Sequence, residues 1–113
     1  MKISSIVFYT NDLEKISKFY REILGFEQNF SDNRFISFKI GETELGIKIK
    51  EVEREVPGHQ TVIIATKDIE DLNKKLKEKG VLFYSELIDE SWGKNFSILD
   101  LDKNKIEFVE EKN

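Results

Sequence analysis

The stretch Ser5-Ile6-Val7-Phe8-Tyr9-Thr10-Asn11-Asp12-Leu13-Glu14 decides the fold, because it recurs as Thr61-Val62-Ile63-Ile64-Ala65-Thr66-Lys67-Asp68-Ile69-Glu70. The two copies lie 56 positions apart in 113 residues, and they keep Thr, Asp and Glu in step. An apolar residue stands in the second copy wherever the first has Ile6, Val7, Phe8 or Leu13. A repeat at half the chain length predicts a duplicated structural unit. Pro57-Gly58, the strongest punctuation in the chain, falls between the copies and divides it into modules of about 1–55 and 58–113.

Within each copy an apolar, β-branched run gives way to an Asp at a helix N-cap position, Asp12 or Asp68, and then to an amphipathic stripe. Leu13, Ile16, Phe19, Tyr20, Ile23 and Leu24 share one face and Gly25 supplies the stop, which predicts a helix over about 12–24. Ile69, Leu72 and Leu76 with Gly80 predict a second over 68–79, with Lys77 and Lys79 at the negative end of its dipole. Three short alternating runs follow each helix: 26–30, 34–40 and 43–50, then 81–87, 94–100 and 105–110. Gly41-Glu42 and Asp102-Lys103-Asn104 read as the turns before the last strand of each half. Laying 35–47 over 96–108 pairs Phe38 with Leu99, Leu45 with Ile106 and Gly46 with Glu107. The expected class is α+β: two tandem βαβββ modules forming a curved mixed sheet around a cleft.

Period-2 alternation assigns the faces. In Glu44-Leu45-Gly46-Ile47-Lys48-Ile49-Lys50 the apolar residues take the odd positions, so Gly46, Lys48 and Lys50 lie on the face turned away from the helix. Ile106 and Phe108 likewise point under the second helix, leaving Lys105, Glu107 and Val109 opposite. The duplication places Ser5, Val7 and Tyr9 on the same face as His59, Thr61, Ile63 and Ala65.

Composition excludes several chemistries. With 18 Lys plus Arg against 22 Asp plus Glu and a net charge of -4, there is no basic footprint for nucleic acid. No Cys and a single His exclude disulfides, thiolate metal sites and a multi-histidine centre within one chain. No run approaches the roughly 18 apolar residues of a membrane span. The expected protein is soluble and cytoplasmic, with neither nucleic acid nor membrane as partner.

The order of three segments resembles the vicinal oxygen chelate superfamily, the group of glyoxalase I, bleomycin-resistance proteins and extradiol dioxygenases. The segments are Asn11-Asp12-Leu13 with Phe19-Tyr20-Arg21-Glu22-Ile23-Leu24-Gly25-Phe26, then Thr66-Lys67-Asp68-Ile69 through Gly80, then Trp92-Gly93-Lys94-Asn95-Phe96 leading to Asp100-Leu101-Asp102-Lys103-Asn104-Lys105-Ile106-Glu107-Phe108. In the last, Leu101 and Lys103 stand where the family pattern has Pro and Gly. In metal-dependent members two His come from the opening strands and a Glu from a final strand; the matching positions here are Ser5, Gly46, Thr61 and Glu107. Only Glu107 is a metal-ligating type, and His59, two residues before Thr61 on the same strand face, stands ~6.6 Å away along a strand. The resemblance therefore implies a member with a degenerate metal site, no metal and no cofactor.

Three functions stay open at this point. One is a bleomycin-resistance-like binder that sequesters a small organic molecule, using Tyr9 and Trp92 as apolar surface and Ser5, Gly46, Lys48, Thr61 and Glu107 as the remaining lining. The second is a glyoxalase-type lyase or isomerase, or a dioxygenase relative, working through Glu107 with or without a metal. The third is a non-catalytic sensor or partner-binding module. Open sheet edges and the loop-borne Trp92 predict a homodimer.

Overall fold

Two four-stranded sheets, each mixed and each carrying its own helix, make up the computed structural model, which describes residues 1–112. The chain divides into two compact units, Met1–Gly58 and His59–Asn113, so the boundary falls at the Pro57-Gly58 punctuation. Among the described residues no helix is long and apolar enough to cross a membrane.

Unit 1 runs β1 (Ser5–Thr10), α1 (Leu13–Lys18), a π-helical turn (Phe19–Ile23), β2 (Glu27–Ser31), β3 (Phe35–Ile40) and β4 (Thr43–Ile49). Its strand order is β1-β4-β3-β2, with β1 parallel to β4 and the other pairs antiparallel. Register sets Phe8, Ile47 and Ile36 in one row across β1, β4 and β3, and Ile6, Leu45 and Phe38 in another. Phe8, Ile36, Phe38, Leu45 and Ile47 are all buried, with Ile16, Phe19 and Tyr20 of the helix.

That helix departs from the α-helix expected over 12–24. It is α-helical only to Lys18, and Leu24 N–H then reaches back to the Phe19 carbonyl at 3.0 Å. Phe19 and Tyr20 are adjacent yet both buried, packed edge to face at 5.5 Å. The π-helical turn carries both rings on the buried side, the face that the sequence stripe assigns to them.

Unit 2 repeats the plan: β5 (Thr61–Ala65), α2 (Ile69–Glu78), β6 (Phe83–Glu90), β7 (Gly93–Leu99) and β8 (Lys105–Glu111), in the order β5-β8-β7-β6. Phe83, Phe96 and Phe108 stack in series at 5.5 and 5.3 Å beneath α2. The duplication extends to irregularities. Gln28 pairs with Phe38 and Phe30 with Ser37, while Phe83 pairs with Ile98 and Ser85 with Ser97, a one-residue bulge at the same place in each edge strand.

Register also corrects one alignment. Ser37 sits opposite Gly46 and Ser97 opposite Glu107, so Gly46 and Glu107 are equivalent, but Phe38 matches Ile98 rather than Leu99. The extra residue lies in the turn before β8. There the buried Asp100 accepts from the N–H groups of Asp102 (2.8 Å) and Asn104 (2.9 Å), and Asn104 Oδ1 takes the Gln60 N–H at 3.2 Å. The Asp100 and Asn104 of the resemblance motif thus tie the turn to the start of β5. Gly93 of the same motif lets β7 close on β8, since a Cβ there would stand 2.7 Å from the Glu110 carbonyl oxygen.

The caps differ between halves. Asp12 Oδ1 accepts the Lys15 N–H at 3.1 Å, as its sequence position suggests. Asp68 does not cap: it is left-handed at φ 55°, and Glu110 on β8 takes the Ile69 N–H at 2.8 Å instead.

Candidate functional site

Each sheet has a helix-free face, and the residues singled out in the sequence distribute over the two. On unit 1 the central row is Val7, Gly46, Ser37 and Phe30, because Gly46 pairs with Val7 and Ser37, and Ser37 with Phe30. Tyr9 and Phe35 flank Lys48 in the next row, and Ser5 and Lys39 flank Glu44 on the other side. Ser5 is exposed and Tyr9 half-buried.

Gly46 is a seat for an aromatic ring. A Cβ at this position would lie 2.5 Å from the tip of the Phe35 ring, which itself meets the Phe30 ring at 6.3 Å. Phe30 is exposed on the edge strand β2, so this face offers aromatic surface on that side. Glu44 accepts from the Ser37 hydroxyl (2.7 Å) and the Asn29 amide (2.8 Å), bonds that hold its carboxyl below the ordinary value.

Lys48 is not an open cation. Its ammonium lies 2.8 Å from Glu51 and donates to both Glu55 oxygens at 2.8 and 2.9 Å. Glu51 also takes Arg34 at 2.7 Å, and its carboxyl is pushed down to about 2, first by the Arg34 hydrogen bond and then by that of Lys48. Lys50 donates to the carbonyls of Val52, Glu53 and Glu55 at 3.1 to 3.3 Å. Both lysines therefore build the segment after β4, where the sequence offers a choice between a solvated face and an anion site.

On unit 2 the equivalent row is Ile63, Glu107, Ser97 and Ser85. The two serine hydroxyls are bonded at 2.5 Å, and Ser97 is buried. Glu107 keeps 23% of its side chain exposed and stands 3.8 Å from Lys105, whose ammonium also lies 4.8 Å from the centre of the Tyr84 ring. Tyr84 and Ile63 are exposed, so a carboxylate, a cation, an aromatic ring and an aliphatic side chain share this face. Asn95, two residues before Ser97, is buried with no hydrogen-bond partner for Nδ2 among the described residues.

Thr61 is exposed and pairs with Lys105, placing it diagonal to Glu107. His59 is exposed at φ 65° in the approach to β5. Trp92 occupies the two-residue turn Ser91-Trp92 between β6 and β7, where its indole donates to Glu90 at 2.7 Å. The loop expected around it is thus shorter, and β6 extends to Glu90. The four residue steps from Gly93 to Ser97 put that turn ~13 Å along the sheet from the Glu107 row. Phe30, Phe35, Tyr84 and Asn95 escape a sequence reading, whereas the alternation does place Lys105 on the open face; the bulges that aim Phe30 and Ser85 at the open faces have no signature in it.

A resemblance to metal-dependent relatives raises the question of fit. Gly46 offers no ligand atom and is covered by Phe35. Ser5 and Thr61 are hydroxyls, and among the described residues no three His, Asp or Glu side chains group so as to hold a metal ion. The residues present do not fit a transition metal.

A family model described as the glyoxalase/bleomycin resistance protein/dioxygenase superfamily matches residues 2–108. The chain belongs to this superfamily. A superfamily member from Sphaerobacter thermophilus DSM 20745 is similar at 27% identity and TM-score 0.82, with 98% of each chain covered. TnmS3, an antibiotic binding protein from Streptomyces sp. CB03234, shares the fold at TM-score 0.86 and 19% identity, covering 99% of this chain and 97% of its own. Lactoylglutathione lyase from Agrobacterium tumefaciens shares it at TM-score 0.80 and 17% identity, over 96% and 92%. No curated protein matches the chain. Gly93 and Asp100, both within the segments that carry the resemblance, act on backbone.

Proposed function

We propose that the chain binds a small organic molecule on the helix-free face of unit 2 and works by holding it, without metal chemistry. The observation that carries this reading is the grouping of Tyr84, Ile63, Lys105 and Glu107 on unit 2, which supplies apolar area and a few polar groups but no metal-ligand set. On unit 1, Tyr9, Val7 and the Phe30–Phe35 pair form an apolar surface of their own, with Gly46 as the ring's seat and Ser5 at its margin; Thr61 lies at the margin of the unit 2 face. Trp92 belongs to the margin as well, through its distance along the sheet. The antibiotic-binding role of one neighbour agrees with this reading.

Titration with a panel of aromatic and amphipathic compounds, followed by calorimetry, tests it. Removing a charged hydrogen-bonding group costs ~1.5–3 kcal/mol, so Glu107→Ala lowers affinity roughly ten- to a hundred-fold. Tyr84→Ala lowers it as well, and the melting temperature of both variants stays near that of wild type. Unchanged affinity in both variants overturns the site.

A second reading rests on Glu107 alone. A partly buried carboxylate with a lysine at 3.8 Å at the centre of the face is placed for acid/base work. Glu107→Gln separates the two readings, because an enzyme keeps binding and loses turnover. We also propose pairing of two copies, since Ile6 and Val7 on β1, Ile63 on β5 and Ile88 on β6 are exposed on edge strands. A monomer mass by light scattering at micromolar concentration refutes that pairing.

A further inference from the structure

The segment after β4 folds back so that the Glu55 carboxylate meets Lys48. Glu55 is buried, 8% exposed, and its carboxylate is received as a ligand would be. Oε1 takes Lys48 Nζ at 2.8 Å, the Glu51 N–H at 2.8 Å and the Val52 N–H at 3.2 Å, while Oε2 takes Lys48 Nζ at 2.9 Å. An ammonium and two backbone N–H groups converging on one anion form a nest.

What makes this a site rather than a packing detail is that its walls stand without Glu55. Lys48 is fixed on β4 between Tyr9 and Phe35. The start of the segment is held by the Arg34–Glu51 pair at 2.7 Å. Its middle is held by Lys50, which donates to the Val52 and Glu53 carbonyls at 3.2 and 3.1 Å. The Glu51 carboxylate, 2.8 Å from Lys48 and 2.7 Å from Arg34, stays as well, so deleting the Glu55 side chain vacates the nest, leaves its donors in place and uncovers one net positive charge among Lys48, Arg34 and Glu51.

We infer that Lys48 Nζ and the N–H groups of Glu51 and Val52 form a binding site for a small carboxylate, which the chain's own Glu55 occupies. The tether gives Glu55 an effective concentration in the millimolar range or above, so an external carboxylate must displace it to enter. With Glu55 in place, the helix-free face of unit 1 offers no free positive charge at Lys48. A carboxylate-bearing molecule enters this site only as the Glu55 side chain leaves it, with the Glu51 and Val52 N–H groups staying in place.

The test uses Glu55→Gly and sodium acetate, with sodium chloride at equal ionic strength as the control. The variant melts below wild type, and acetate raises its melting temperature saturably toward the wild-type value. Chloride does not, wild type shows no such rise, and the double variant Lys48→Met/Glu55→Gly loses the response. An acetate effect no larger than that of chloride, or one that survives in the double variant, overturns the site. Should Glu55→Gly fail to fold, Glu55→Ser takes its place in the same titration. Wild type adds a check free of any variant: reductive methylation read by mass spectrometry modifies Lys48 more slowly than exposed Lys67, and equal rates overturn the proposal.

Discussion

At the centre of its helix-free face, unit 1 carries Gly46 beneath the Phe35 ring, whereas unit 2 carries Glu107 opposite Ser97. The surrounding frame is the same in both, down to the edge-strand bulge beside Phe30 and Ser85. One face is aromatic with its lysine neutralised by Glu51 and Glu55; the other is polar, with Lys105 shared between Glu107 and Tyr84. Duplication conserves what the backbone needs, namely register, bulge and helix packing, and releases the outward side chains of the face to diverge.

Exchanging the central residues tests this most strongly. Gly46→Glu must drive the Phe35 ring from its seat, and overpacking of this kind costs ~1–3 kcal/mol. Glu107→Ala removes a partly exposed side chain and changes stability by ~0.5 kcal/mol or less. Urea denaturation decides it, and equal costs for the two variants break the contrast.

The helix starts come next. Glu110→Ala strips the Ile69 N–H of its acceptor and costs ~1 kcal/mol, as Asp12→Ala does in unit 1. Asp68→Gly is neutral or stabilising, because the position is left-handed. A loss with Asp68→Gly comparable to that of Glu110→Ala returns the cap to Asp68.

Lys103→Gly is a smaller effect of opposite sign. Lys103 sits at φ 71°, where an L side chain is strained, and glycine gains up to ~1 kcal/mol, visible as a higher melting temperature. No turn in unit 1 holds a non-glycine residue at positive φ, since Gly41 takes that place.

Acid separates the units most gently. Glu51 has its carboxyl lowered from 4.5 to about 2, and Glu55 is lowered too, chiefly by the Lys48 hydrogen bond. A carboxyl depressed on folding contributes stability above its unfolded value and loses it as pH falls through the folded one. Between pH 4.5 and 2, amides at 51–56 therefore lose hydrogen-exchange protection ahead of those in α2. Simultaneous loss would show that the lysine network does not hold the segment.

How much of this was legible in the sequence depends on the range of the interaction. The offset between 5–14 and 61–70, the order of elements and the division of faces follow from local periodicity, because a strand shows alternate residues to opposite sides and only one side of each sheet faces a helix. Glu107 was legible as a polar residue on the open face for the same reason. Tertiary structure alone decided the rest. Gly46 receives Phe35 from β3, α2 is capped by Glu110 from 41 residues downstream, and Phe30 and Ser85 reach the open face through bulges. Lys48 meets Glu55 only because the chain turns back after β4. Each of these depends on register and on partners brought close by the fold, and hydrogen bonds and ring contacts form between atoms within a few ångströms regardless of how far apart their residues lie in the chain.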